Sequence, residues 1–230
     1  MNTYEVLVKG REEVAAGTMA FRFSKPAGFV FKPGQSVTLS LLEPPAEANS
    51  TQRIFSLASA PFEDGLTIAT RMREGSAYKR ALKALPLDAR IKLKGPRGLM
   101  TLHEDRGRAA VFIAGGIGIT PFMSMLRQAA HERLAQPLFL LYSNRRPEDA
   151  PFLAELQDLV RRHDSFHMLA RMTDAQGFID ENTVKGFVAG AAAPLYYLAG
   201  PPAMVTAMKG ILRGGGVGDQ DVRSEQFYGY

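Results

Sequence analysis

The hydrophobic rhythm of this chain changes once, near Glu104–Arg108, and any fold must accommodate both rhythms. Before that point, short runs alternate. Val6 and Val8 are interleaved with Leu7 and Lys9, and Met19, Phe21 and Phe23 with Ala20, Arg22 and Ser24. A period of two is what a half-buried strand requires, one face inward and one outward. Pro33-Gly34 marks a turn before a strand at Ser36–Leu42, and Ile54–Ala58, Leu66–Arg71 and Arg90–Lys94 read as further strands. One short helix is predicted near Ser76–Ala84. Many short strands separated by turn signals imply a small antiparallel barrel. Beyond the boundary, apolar runs at Ala109–Ala114, Leu138–Tyr142, Phe166–Met172 and Leu195–Ala199 alternate with predicted helices. Those helices cover Pro121–Arg133, Glu148–Arg162, Glu181–Val188 and Pro202–Leu212. Strand–helix alternation implies a doubly wound parallel sheet. The expected class is therefore β plus α/β, divided into residues 1–105 and 106–230. At roughly 150 residues per domain, a length of 230 residues allows one large domain or two small ones.

Several function classes fall away. The chain has no cysteine, which removes disulfides, zinc–thiolate sites and iron–sulfur clusters held by its own thiolates. A net charge of +5 lacks the dense basic face of a nucleic-acid binder. Met1–Lys9 does not read as a secretory signal, since Glu5 interrupts it. The uncharged runs Ala109–Leu126 and Gly186–Met208 approach the roughly 20 residues that span a bilayer. Glycines and prolines break both, so no membrane span, a soluble chain and a cytoplasmic location are expected. His163 and His167 are four apart, but a helix is predicted to end and a strand to begin between them. No metal site is expected.

The strongest local signal is Ala114-Gly115-Gly116-Ile117-Gly118-Ile119-Thr120-Pro121. A buried strand runs into glycines and then a helix start, where free N–H groups and the positive dipole end can hold a pyrophosphate. Pro121 stands where the dinucleotide fingerprint has its third glycine, and no Gly-Lys-Ser/Thr follows to make a P-loop. A second such turn, Ala199-Gly200-Pro201-Pro202-Ala203-Met204, falls on the same sheet edge, where parallel sheets bind ligands. In the first half, Arg53-Ile54-Phe55-Ser56 places Arg53 and Phe55 on one strand face and Ser56 on the other. That set suits phosphate pairing, ring stacking and a hydrogen bond to a ring nitrogen. It equally suits an ordinary barrel strand with a surface arginine. Gly75-Ser76 reads either as a second phosphate contact or as a plain N-cap.

Together these segments resemble the ferredoxin–NADP reductase superfamily over essentially the whole chain. Phe31-Lys32-Pro33-Gly34-Gln35 is similar to its F-x-P-G-Q turn, and Arg53–Ser56 to its R-x-Y-S flavin motif. Gly116–Pro121 is similar to its G-x-G-x-x-P loop, Gly200-Pro201-Pro202 with Met204 to its C-G-P-P-x-M segment, and Glu225-Gln226-Phe227 to its acidic–aromatic end. The resemblance implies an N-terminal flavin-binding antiparallel barrel that holds FAD, with FMN the lesser alternative. It also implies a second domain that binds NADP, with NAD the alternative, and a hydride passed to FAD and on as single electrons. By it, Arg53, Phe55, Ser56, Thr70, Arg71, Gly75 and Ser76 serve the flavin. Gly116, Gly118, Thr120, Pro121, Gly200, Pro201, Met204 and Phe227 serve the dinucleotide and the ring contact. Ser56, Thr120 and Glu225 are placed at the reacting rings. Phe55 departs from the family's tyrosine, and Ala199 from its cysteine.

Ser143, Arg145 and Arg146 follow the second parallel strand and offer a hydroxyl and two guanidiniums to a 2′-phosphate, with no acid to read a ribose hydroxyl. The basic run from Arg71 to Arg97 reads as a solvated face or as a docking surface for an acidic one-electron carrier such as ferredoxin or flavodoxin. Lys79, Arg80 and Lys83, on the predicted helix, are the first contacts expected there. A monomer is expected. Two alternatives stay open: a reductase of a small acceptor (flavin, quinone or ferric chelate), and a flavin-binding module without catalysis.

Overall fold

The computed structural model describes residues 2–48 and 50–228. Met1, Asn49, Gly229 and Tyr230, which the sequence-based division includes, lie outside the described residues. The first half holds β1 (Asn2–Ala15), β2 (Thr18–Ser24), β3 (Ser36–Ser40), β4 (Gln52–Ser56), β5 (Gly65–Arg71), α1 (Ala77–Ala84) and β6 (Arg90–Arg97). These strands form one antiparallel sheet in the order β4-β3-β6-β1-β2-β5. Strand β1 serves two neighbours: Asn2–Leu7 pairs with β6, and Val8–Ala15 pairs with β2 across a register shift between Val8 and Gly10. That irregularity turns the corner of the sheet. Its two ends then meet through a bridge between Leu57 and Ile68 and the Ala58 N to Thr67 O bond of 2.8 Å, which rolls it into a barrel. The alternation read in the sequence fills the interior: Val6, Val8, Phe21, Phe23, Val37, Leu39, Ile68, Ile91 and Leu93 are all buried.

The second half holds β7 (Ala110–Gly115), α2 (Thr120–His131), β8 (Leu138–Asn144), α3 (Leu153–Arg162), β9 (Phe166–Met172), α4 (Thr173–Gln176), α5 (Glu181–Phe187), β10 (Leu195–Gly200), α6 (Pro202–Gly214) and β11 (Val222–Gln226). Its parallel sheet runs β11-β10-β7-β8-β9, so the order reverses beside β7. One face packs Phe112, Ala114, Leu140, Tyr142 and Tyr197 against α2 and α3. The other packs Val111, Ile113, Leu141 and Leu198 against α5 and α6. Both uncharged runs considered as spans are divided into strand, turn and helix, and no helix among the described residues is long and apolar enough to cross a membrane.

Several elements differ from the sequence reading, the unexpected short α4 among them. The helix expected from Glu148 begins only at Leu153, because Phe152 adopts φ +60° after Pro151 and a short 3-10 turn occupies Pro147–Asp149. Strand β4 lies two residues earlier than expected, so Ser56 ends it. Strand β11 was not expected. Its residues Val-Arg-Ser-Glu-Gln carry no apolar period, and pairing with β10 alone makes it a strand.

Candidate functional site

The barrel and the parallel sheet meet at a cleft of about 450 Å³. Its walls are Arg53–Ser56 of β4, Ala69–Arg71 of β5, then Arg73, Gly75, Ser76 and Lys79. Ile117 and Thr120 come from the second half, and Phe227 and Tyr228 from the C-terminal segment. The β4 residues reach it because β4 is the last strand of its sheet and Ser56 stands at its end. Phe55 is buried in the barrel core beside Tyr78, with ring centroids 6.3 Å apart, while still lining the cleft. Ile54, on the opposite strand face, is 54% exposed.

One end of the cleft is crowded with cations. The Arg53 guanidinium lies 5.3 Å from the Tyr78 ring centroid. Lys79 Nζ donates to Arg71 O at 2.8 Å, and burial first, then Arg73 and Arg53, hold its ammonium below the usual lysine range. Among the described residues, Arg53, Arg71, Arg73 and Lys79 have no carboxylate within salt-bridge distance, whereas Arg80, Arg108, Arg127 and Arg146 each have one. Clustered like charges without counter-ions are held at a cost that an anionic ligand removes. Ser76 caps α1, its hydroxyl accepting from Lys79 N at 3.3 Å, and the residue also lines the cleft. The Ser56 hydroxyl, on the same cleft, is buried with no hydrogen-bond partner among the described residues. A buried orphan hydroxyl costs on the order of 1–3 kcal/mol. A ligand that carries both phosphates and a flat, hydrogen-bonding ring fits these groups, and FAD is such a ligand.

On the parallel-sheet side, β7 ends in a tight turn through Gly116, at φ +52°, into Thr120, whose Oγ1 donates to Ile117 O at 3.0 Å. Gly118 has a different need from the one its motif suggests: the space of a side chain there is filled by the backbone of Ala199 and Gly200. Pro121 is buried in α2. Pro201 and Met204 pack over Gly115, and Phe227 N donates to Gly200 O at 3.0 Å, drawing the C-terminal segment to this edge. Ser143 lies within β8, which runs on to Asn144 rather than ending at Tyr142, and Arg145 and Arg146 follow the strand on the same edge. Both guanidiniums are exposed and already paired, Arg145 with Asp174 at 3.5 Å and Arg146 with Asp149 at 3.1 Å and Glu148 at 3.3 Å. Glu225, on β11 beside Ala199, is pushed above the usual carboxylate range by burial, with Arg97 opposing the shift.

Sequence reasoning missed Tyr78, Ile54 and Ile117, and it read Lys79 as part of a solvated or carrier-docking run. Tyr78 carried a usable signal, as the single aromatic of a short helix that otherwise reads as surface. Asn144 was also passed over. It is buried at the end of β8, and neither polar atom of its carboxamide has a hydrogen-bond partner among the described residues.

Residues 112–210 match the sequence family described as the oxidoreductase NAD-binding domain. The chain is 30% identical over 211 residues to ferredoxin–NADP reductase B of Sorangium cellulosum, covering 85% of this chain and 84% of that protein. It is 26% identical over 219 residues to the glycine betaine monooxygenase reductase subunit of Pseudomonas aeruginosa, but spans only 60% of that longer relative. Its fold matches a ferredoxin–NADP⁺ reductase from Neisseria gonorrhoeae, solved with FAD and NADP bound, at a TM-score of 0.83 over 97% of this chain and 98% of that one, with 20% identity. The chain belongs to the ferredoxin–NADP reductase family, the NAD(P)H-dependent flavoprotein oxidoreductases.

The raised Glu225 carboxyl gives a signed expectation. Its ionised form is the disfavoured one in the folded protein, so it costs nothing below the unfolded carboxylate range and progressively destabilises as pH rises through the raised value. Glu225→Gln should therefore raise the melting temperature at about pH 8 and leave it unchanged near pH 4. Equal effects at both values would show that Glu225 is solvated as an ordinary carboxylate.

Proposed function

We propose that the chain binds FAD in the barrel cleft and NADPH along the carboxyl edge of the parallel sheet, and delivers electrons singly to an acidic carrier protein. The uncompensated cation cluster, with the orphan Ser56 hydroxyl across the same cleft, is the observation that carries this reading. A bound flavin supplies hydride acceptance and one-electron release. The chain's own residues bind, orient and exclude water. In this reading Arg53, Thr70, Arg71, Gly75 and Ser76 hold the flavin and its phosphates, joined by Arg73 and Lys79. Phe55 forms the cleft wall for the ring, and Ser56 donates its hydroxyl hydrogen to a ring acceptor. Gly116, Gly118, Thr120, Pro121, Gly200, Pro201 and Met204 shape the dinucleotide path, with Ser56, Thr120 and Glu225 at the ring contact and Phe227 closing it against solvent. Glu225 keeps a proton at its carboxyl to a higher pH than an exposed glutamate does. We place the domain division at residue 105, and the protein in the cytoplasm as a monomer.

Acid extraction should release about one FAD per chain. Arg53→Ala should weaken FAD roughly ten- to a hundredfold while preserving the melting transition of the apoprotein, since a charge-assisted phosphate pair contributes about 1.5–3 kcal/mol. Wild-type FAD affinity in that variant would remove Arg53 from the site.

NADPH is the proposed donor because Arg145 and Arg146 flank the end of β8. Their present partners, Asp174, Asp149 and Glu148, compete for the same guanidiniums, so the preference for NADPH over NADH should be moderate. Arg145→Ala with Arg146→Ala should abolish it. Equal efficiency with both donors in the wild type would refute it.

Carrier docking needs a revised set of contacts. Lys79 lines the cleft, and Arg80 is tied to Glu74 O and faces Glu47, which leaves the exposed Lys83 of the three expected contacts. Lys92 and Lys94 instead alternate outward from the barrel beside Arg97, next to an open groove that shares Arg53 and Ile54 with the cleft. Exposed charges act mainly on association rate and are screened over about 10 Å at 0.1 M salt. Lys92→Glu with Lys94→Glu should slow flavin reoxidation by an acidic ferredoxin or flavodoxin and flatten its salt dependence, while bleaching by NADPH is unchanged. Stopped-flow mixing across a salt series reads both. A salt-independent wild type with silent reversals would favour the small-acceptor reductase.

A further inference from the structure

We infer that Ser124 and Arg127 of α2 are positioning residues that fix the dinucleotide loop against the flavin strand; this rests on the function proposed above. Helix α2 begins at Thr120, on the wall of the cleft. Ser124 and Arg127 lie three apart, on one helix face, about one and two turns further along. Both reach the barrel segment that follows Ser56. Ser124 Oγ donates to Ser59 O at 2.7 Å, and Arg127 Nη1 donates to Ala58 O at 3.1 Å. Ser124, Ala58 and Ser59 are completely buried, so water cannot substitute for these bonds without opening the seam.

Arg127 adds a second brace. Its guanidinium makes a two-pronged pair with Glu155 of α3, Nε to Oε1 at 2.6 Å and Nη2 to Oε2 at 2.7 Å. It also lies 3.5 Å from Glu63, whose Oε1 accepts from Ala60 N at 2.6 Å, and 5.6 Å from the centroid of the Phe152 ring. One side chain thus ties α2, the start of α3 and the Ala58–Glu63 segment. The two barrel attachments are two and three residues from Ser56. The two helix attachments are four and seven residues from Thr120, at most about 10 Å along the axis. A displacement of α2 relative to the barrel therefore moves the dinucleotide loop relative to the flavin strand by nearly the same amount.

Hydride transfer is steep in distance, and a misplacement of about 1 Å can cost on the order of a hundredfold in rate. Neither residue lines the cleft, so neither is needed to bind FAD or dinucleotide. This separates positioning from binding. The test uses holoprotein carrying Ser124→Ala and Arg127→Lys together, comparing FAD content, NADP⁺ affinity by titration, and the saturating rate of flavin bleaching by NADPH. The isotope effect of NADPH deuterated at the transferred position is measured with it. FAD content and NADP⁺ affinity should stay within about threefold of wild type, the saturating rate should fall at least about tenfold, and the isotope effect should grow as the transfer itself becomes limiting. If the double variant fails to fold, Arg127→Met with Glu63→Gln and Glu155→Gln leaves no unpaired buried charge and should give the same pattern. A wild-type rate with both ligands retained would overturn the proposal, as would a rate loss that only tracks loss of FAD or NADP⁺ binding. A wild-type protein that binds FAD but is bleached by neither NADPH nor NADH would overturn the functional reading itself.

Discussion

The docking of α2 is the contact on which the rest of the cleft depends. Its apolar face, with Phe122, Met123, Met125, Leu126 and Ala129 buried, belongs to the core of the parallel sheet. Its first turn closes the loop from β7, and its middle turns bond to the barrel at Ala58 and Ser59. A helix that must satisfy two cores at once has little freedom to slide, because interiors are packed to crystal density and respond to shifts as a unit. The two halves of the cleft therefore come from different sheets but move as one. The linker reinforces this: His103 Nδ1 lies 2.8 Å from the Tyr197 hydroxyl, and Arg223 Nη1 donates to Thr101 O at 2.6 Å.

Charge placement follows from the same architecture. The basic run that looks uniform in the sequence is divided by the fold into two populations. Arg71, Arg73 and Lys79 line the cleft, and Lys92 and Lys94 turn outward from the barrel because Ile91 and Leu93 on the alternate positions fill its interior. Strand alternation decides the second group, and only tertiary closure decides the first. The cost of gathering unpaired cations is set against the flavin phosphates they are proposed to receive, which is a common exchange of local stability for binding at functional sites.

Much of the fold is legible from pattern alone, because period-two and period-3.6 burial are local consequences of strand and helix geometry. Phe166–Met172 reads directly from its sequence, and Leu195–Ala199 lacks only its last residue. What local pattern cannot carry is whatever a distant partner imposes. Strand β11 exists only because β10 offers an edge, and α3 starts late because the backbone at Phe152 turns left-handed after Pro151. The site divides in the same way. Arg53–Ser56 announces itself by residue type and order, while the unpartnered Ser56 hydroxyl, the Tyr78 support under Arg53 and the buried Asn144 depend on which elements close over them. Gly118 is legible as a required glycine, but its reason, the backbone of β10 pressed against it, is not.

The most direct test of the account is anaerobic mixing of the flavin-loaded protein with NADPH and, separately, with NADH, followed at the visible flavin band. The account predicts bleaching by both donors, with the higher efficiency for NADPH. A protein that holds FAD in the cleft yet keeps its colour with either donor would contradict it.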